Sequence, residues 1–301
     1  MAIGDVAAVT AGDCHDLYCF DAGLYGVDHY GAIYILDTDR PTIIETSTGR
    51  NHDALLAALD ALGLAPDAIE NIVLTHVHLD HAGGAGRLAA ACPNADVYVH
   101  AVGAPFLTDP DPLVAGSKQV VGELWDYHVD PTPIPADRIT RVTDRDTIDL
   151  GGRRLEALYV PGHATHQVAL FDRDCEALFT GDAAGMWLPD HDLLTVTTPP
   201  TTFDFAQSLA DLDTLADVAP RTLLYTHYGP RETGTAFRDY RQELTDWVAA
   251  VEAERERLDD DAVIEHFVST SPLATALGDP AGTVPARMFV LGVLGDLDRS
   301  A

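Results

Sequence analysis

Thr75-His76-Val77-His78-Leu79-Asp80-His81 places three histidines and an aspartate directly after an apolar run, Ile72-Val73-Leu74. No other stretch restricts the fold so tightly. The apolar run reads as a buried β-strand. Ala82-Gly83-Gly84-Ala85-Gly86 then leads into a Leu/Ala-rich helix, Arg87 to Cys92. Side chains alternate along extended backbone, so the spacing predicts His76, His78 and Asp80 on one side. His81 is expected to swing in as the chain turns into the helix. Neutral imidazoles with a carboxylate are the ligand set of a zinc-type or iron-type cation. The glycines let backbone approach such a site with no Cβ in the way.

Three more polar residues follow apolar strands. Leu155–Tyr159 leads to Pro161-Gly162-His163, Ala177–Phe179 to Thr180-Gly181-Asp182, and Thr222–Tyr225 to Thr226-His227. Singly, each is unremarkable. Together with the first cluster they give seven candidate ligands: His76, His78, Asp80, His81, His163, Asp182 and His227. A zinc ion takes about four ligands. Seven protein ligands, one of them shared, therefore match two metals completed by a water.

Along the chain, Leu17–Phe20, Ala32–Leu36 and Thr42–Ile44 read as short strands, and His52 to Leu62 as a helix stopped by Gly63. Asp96–His100 reads as a further strand. Residues 101–137 carry six prolines around one helix near Gly116–Trp125, and are expected to be an insertion that walls a pocket. Strands resume at Ile139–Val142, Thr147–Leu150, Arg154–Tyr159, Gln167–Phe171 and Ala177–Phe179. A helix from Phe205 to Leu215, the strand Thr222–Tyr225 and a long helix from Thr233 to Leu258 complete a core of about residues 15–258. The tail, 259–301, is expected to be an appendage with a helix around Arg287–Leu294. No low-complexity linker divides the chain, which reads as one domain, 1–301.

Composition bounds the setting. Charged residues sum to 18 − 48 = −30, with Lys118 the only lysine among 17 arginines. The acidic groups are spread evenly, as expected of a protein from a salt-accumulating halophile. A surface so poor in cations argues against nucleic acid as a partner. Cys14, Cys19, Cys92 and Cys175 form no C-x₂-C pair and are expected to be reduced thiols in a cytosol. No signal peptide and no apolar run of about 18 residues is visible. The expectation is a soluble cytoplasmic protein with a small-molecule substrate and no membrane partner, and with homo-oligomerisation left open.

The set HxHxDH, a later His after Pro-Gly, a Gly-Asp and a final Thr-His resembles the metallo-β-lactamase superfamily, in its glyoxalase II-like branch. The resemblance covers roughly residues 15–230 and implies an α+β fold, a four-layer αββα sandwich with its site at the edge between the sheets. It further implies that His76, His78 and His163 bind a first divalent metal and Asp80, His81 and His227 a second. Asp182 would bridge them. Zinc is the first expectation, with iron or manganese as alternatives. Two cations about 3.5–4 Å apart can share a hydroxide and generate a nucleophile near neutral pH. Asp80 would orient that hydroxide, and the implied activity is hydrolysis of a small-molecule ester, thioester or lactone. A phosphodiesterase or nuclease and a mononuclear iron persulfide dioxygenase share the fold and are the competing readings.

Particular residues place the chain within that superfamily. True β-lactamases in it lack the bridging aspartate, here Asp182. The acyl-homoserine lactonase branch carries a tyrosine where this chain has Gly185. An early strand that usually ends Asp-x-Gly here reads Glu45-Thr46-Ser47-Thr48-Gly49, and Glu45 is expected to support the metal loop from behind the ligands. Tyr25, His29 and Tyr30 lie in a loop that could reach the metals. Trp187, Tyr228 and Arg231 are the other candidate substrate contacts. His166 reads as structural, and His15, His52, His100, His128, His191 and His266 as ordinary histidines.

Overall fold

The computed structural model describes residues 1–300. Its first sheet runs in sequence order: β1 (Val6–Ala8), β2 (Leu17–Asp21), β3 (Ala32–Leu36), β4 (Thr42–Ile44), β5 (Asn71–Val73), β6 (Asp96–His100) and β7 (Ile139–Val142). Pairing is antiparallel as far as β4 and parallel from β4 to β7. Next come β8 (Thr147–Asp149), β9 (Arg154–Tyr159), β10 (Val168–Asp172) and β11 (Ala177–Gly181). A separate hairpin, β12 (Met186–Leu188) with β13 (Leu193–Thr195), precedes β14 (Thr222–Tyr225) and β15 (Gly229–Glu232). The second sheet has the order β15-β14-β11-β10-β9-β8.

Alternation along the strands builds the layers. On β3, Ala32, Tyr34 and Leu36 face the other sheet, while Ile33 and Ile35 face the helices α1 (His52–Ala61), α2 (Leu79–Ala82) and α3 (Ala85–Ala91). On β10, Val168 and Leu170 point inward, and Ala169 and Phe171 point to the opposite outer layer. Strands buried on both faces read as continuous apolar runs, which is why they are visible in the sequence. The sheets are also joined by polar contacts. Tyr34 Oη donates to the Tyr225 carbonyl at 2.7 Å, and backbone N–H groups of Val168 and Ala32 donate across to Thr75 and Thr226. The result is the four-layer αββα sandwich that the resemblance implies.

The insertion holds more helix than expected: α4 (Ala104–Thr108), α5 (Asp111–Val121) and a 3₁₀ turn at Gly122–Tyr127. On the second outer face lie α6 (Phe205–Asp217) and α7 (Ala236–Arg255). The tail differs from the expectation. It forms α8 (Asp260–Thr270), α9 (Pro272–Leu277) and α10 (Thr283–Ser300), whose Val263, Leu273, Val290 and Val293 share one apolar cluster with Leu244 and Val251 of α7. It is part of the core, not an appendage.

The cysteine expectation is corrected as well. Cys14 and Cys175 form a disulfide, with Cα atoms 4.9 Å apart, that ties the segment before β2 to the β10–β11 turn. Only Cys19 and Cys92 are free thiols, both buried. Among the described residues, no helix is long and apolar enough to cross a membrane.

Candidate metal centre

Strands β5, β9, β11 and β14 end at one rim, and each hands its ligand to the loop beyond. His76 and His78 leave β5, His163 follows β9, Asp182 follows β11 and His227 follows β14. Asp80 departs from the expected alternation. The chain has already turned at Leu79, so the first turn of α2, not extended backbone, aims Asp80 and His81. Gly181 (φ +50°) permits the close approach of the two sheets here, since a Cβ on it would lie 2.8 Å from Thr75 Oγ1.

The ligand atoms fall into two groups. His78 Nδ1 lies 3.0 Å from His76 Nε2 and 3.2 Å from His163 Nε2. His227 Nε2 lies 3.2 Å from His81 Nε2 and 3.7 Å from Asp80 Oδ2. Asp182 stands between them: its Oδ2 is 3.4 Å from His163 Nε2, and its Oδ1 is 3.3 Å from His81 Nε2 and 3.5 Å from His227 Nε2. Nitrogens held about 2.0–2.1 Å from a tetrahedral zinc would be roughly 3.3 Å apart. The observed spacing is that of donors converging on cations.

The electrostatics point the same way. Burial pushes the pKa of His76 and His78 well below the usual imidazole range, helped by the neighbouring imidazoles, so both present lone pairs. Burial also works to raise the pKa of Asp182, but His81, His227 and His163 overcome it and hold the carboxyl ionised. For His81, burial is opposed and outweighed by the carboxylates of Asp182, Asp80 and Glu45, which raise its pKa. Asp182 Oδ1, which faces the other ligands, is buried without a hydrogen-bond partner. Such an orphaned acceptor is costly unless a ligand completes it. The residues fit bound metal.

The groups behind the ligands fix their tautomers. His163 Nδ1–H donates to the Thr197 carbonyl and His227 Nδ1–H to the Tyr30 carbonyl, both at 3.0 Å, which leaves each Nε2 for a metal. Glu45, in the left-handed region at φ +72°, serves two ligands. Its Oε1 accepts from Thr75 Oγ1, which stands 3.1 Å from His76 Nδ1, and its Oε2 lies 3.5 Å from His81 Nδ1. His166 accepts the Val77 N–H at 3.5 Å, and burial lowers its pKa to about 4.

Solvent reaches the ligands at His78 and Asp80, the only two that are not buried. Beside this opening, rings run outward from His227 through Tyr30 and Tyr25 to Tyr127 and His128, with centroid spacings of 5.5–6.2 Å. Trp125 stacks on His128 at 5.0 Å. Tyr25 packs against Tyr127 and His128 of the insertion, which form a wall of this ring cluster. His128, read as ordinary, belongs to that wall and feels the charge of Asp80. Its one sequence signal was its place in the insertion.

The remaining candidate contacts are engaged elsewhere. Both His29 ring nitrogens are taken, by the N-terminal amine and by Asp190. Tyr228 packs between the sheets with its ring 5.1 Å from His29. The Arg231 guanidinium lies 4.0 Å over the Trp187 ring, and Trp187 packs on the outer cluster of the second sheet.

A sequence profile of the metallo-beta-lactamase superfamily matches residues 26–227, which include every one of the seven clustered ligands. The chain belongs to the metallo-beta-lactamase superfamily. Within it, ST1585 of Sulfurisphaera tokodaii is 28% identical over 220 residues, covering 72% of this chain and 79% of that one. The crystal structure of ST1585 superposes with a TM-score of 0.70 at 22% identity, over 95% of this chain and 99% of the other. The human acyl-coenzyme A thioesterase MBLAC2 is 33% identical over 121 residues, 36% of this chain and 39% of that protein. The hydroxyacylglutathione hydrolase of Serratia proteamaculans is 28% identical over 187 residues, 56% and 60% of the two chains. The match spans less than two thirds of either of these two enzymes. The clustered His and Asp side chains of this superfamily member could hold metal.

Proposed function

We propose that the protein is a binuclear metal-dependent hydrolase of a small-molecule ester, thioester or lactone, with a thioester the first choice. One observation carries the binuclear part: the two oxygens of Asp182 are divided between two separate groups of histidines. The thioester preference draws on the relatives, two of which are named for thioester-cleaving activities.

When bound, two divalent cations supply a nucleophilic water at neutral pH and neutralise charge on a developing oxyanion. His76, His78 and His163 would hold one, His81, His227 and Asp80 the other, and Asp182 would bridge. Asp80, with its side chain 25% exposed and Oδ2 turned to His227, leaves Oδ1 to take the proton of the attacking water. The water oxygen bonds to the acyl carbon, the C–S or C–O bond breaks, and that proton ends on the departing sulfur or oxygen. Tyr25, Tyr30 and Tyr127 line the approach. Burial, with Asp80 beside it, keeps the Tyr25 hydroxyl protonated and able to donate to substrate. The same chain would work in high salt, which its formal net charge of −30 supports.

The deciding experiment is elemental analysis of protein purified in high salt without chelator, followed by a panel of acyl-coenzyme A, acyl-glutathione, lactone and p-nitrophenyl ester substrates. About two zinc, iron or manganese ions per chain with thioester turnover is the expected result. Turnover of bis-p-nitrophenyl phosphate alone would move the protein to the phosphodiesterases. One iron per chain, with oxygen uptake on adding a persulfide, would replace hydrolysis by sulfur oxidation.

A further inference from the structure

All seven candidate ligands lie between residues 76 and 227, yet two of them rest on backbone gripped by helices beyond that region. Segment 197–203 runs between the ligands and the C-terminal helices. On its inner side, the Thr197 carbonyl accepts His163 Nδ1–H at 3.0 Å, and Thr197 Oγ1 donates to the Asp182 carbonyl at 2.7 Å. Thr202 Oγ1 donates to the His163 carbonyl at 3.1 Å. On its outer side, Thr198 Oγ1 donates to the Phe289 carbonyl of α10 at 2.8 Å and accepts Trp247 Nε1–H of α7 at 3.3 Å. Arg299 donates to the Phe203 carbonyl. Thr198 is fully buried. The approach is so close that a Cβ on Gly292 of α10 would sit 2.0 Å from the Thr198 carbonyl oxygen.

The other half of the centre takes its supports from elsewhere, one of them, Glu45, shared with His76 through Thr75. His81 and His227 are backed by Glu45 and by the Tyr30 carbonyl, both from the first-sheet half of the chain. A close-packed contact transmits displacement instead of absorbing it, and an imidazole follows the carbonyl that orients it. We infer that α10, acting through Thr198, is a positioning element for the half-site of His76, His78 and His163, so that the C-terminal helices set the affinity of one of the two metals. This rests on the metal-centre reading above.

The test is titration of metal-free protein with Co²⁺, read by cobalt absorption and calorimetry. Thr198→Val keeps the shape and removes the hydroxyl. In a His227→Asn background, which leaves the His163 half-site, Thr198→Val is expected to weaken cobalt binding roughly 10–100-fold. In a His163→Asn background the same change is expected to have at most a small effect, through the Asp182 carbonyl alone, and Thr198→Ser restores the lost affinity in the His227→Asn background. Trp247→Phe, which removes the donor to Thr198 Oγ1 together with part of the ring packed on Phe267, gives a smaller loss confined to the same half-site and serves if Thr198→Val does not fold. Folded variants that bind both metals as wild type does, or that lose both equally, would overturn the inference. Wild-type protein that takes up no cobalt would instead overturn the metal-centre reading itself.

Discussion

Glu45 bears on both halves of the centre, through Thr75 and His76 on one side and His81 on the other. Replacing it with glutamine keeps the length and removes the charge. Glu45→Gln is expected to lower zinc affinity roughly 10–100-fold, measured by competition with a chromogenic chelator, with little change in far-UV circular dichroism. Unchanged affinity would reduce Glu45 to a packing residue. The ligands themselves were legible because their spacing is local: HxHxDH spans six residues, and each later ligand directly follows an apolar strand. The pocket wall was harder to see. Tyr25 and His128 are far apart in sequence and meet only because the insertion folds back over the β2–β3 loop, a contact no local pattern encodes. His29 illustrates the converse, a residue in the right loop whose ring is already spent on Asp190 and the N-terminal amine.

Helix α6 supports the centre through a carboxyl buried against the Pro161–His163 turn. Asp211 Oδ2 accepts the Gly162 N–H at 2.6 Å, and burial raises its pKa to about 6. A carboxyl with a raised native pKa binds its proton more tightly in the folded state. Its ionisation therefore costs stability that is retained below about pH 4 and lost as pH rises through about 6. Asp211→Asn removes that cost, so the stability of the variant relative to wild type should climb between about pH 4 and 6 in urea titrations at a series of pH values. A difference independent of pH would show that Asp211 does not titrate in this window. The disulfide makes a second prediction. Cys14–Cys175 joins segments 161 residues apart, and its loss should cost about 2–5 kcal/mol in denaturant unfolding of Cys14→Ser protein. Elements also show where sequence reading stops. Buried strands announced themselves as apolar runs, whereas β15 is an edge strand containing Pro230, defined by its pairing with β14 alone. The caps of the tail helices were present in the sequence, Asp259 for α8 and Ser271 for α9. They went unread because the apolar residues they introduce pack against α10 and neighbouring helices rather than a sheet.

At the scale of the molecule, 48 acidic against 18 basic residues leave a surface that repels itself. Screening shortens from about 10 Å at 0.1 M salt to about 3 Å at 1 M. The thermal midpoint should therefore rise as KCl is increased over that range, followed by differential scanning calorimetry. A flat midpoint would mean that surface charge does not limit stability. The four layers were foreseeable from the superfamily resemblance. The integration of residues 259–300 was not, because it depends on one apolar cluster assembled from α7, α8, α9 and α10.

The grip of α10 on Thr198 also has a consequence in time. Gly292 lies 292 − 227 = 65 residues beyond His227, the last of the seven ligands. At synthesis rates of about 5–20 residues per second, roughly 3–13 s separate the two. During that interval a nascent chain carries every metal donor but lacks the helix that holds His163 in place. On the metal-centre reading, the half-site of Asp80, His81 and His227 is then expected to bind an ion more tightly than its neighbour until α10 has been made.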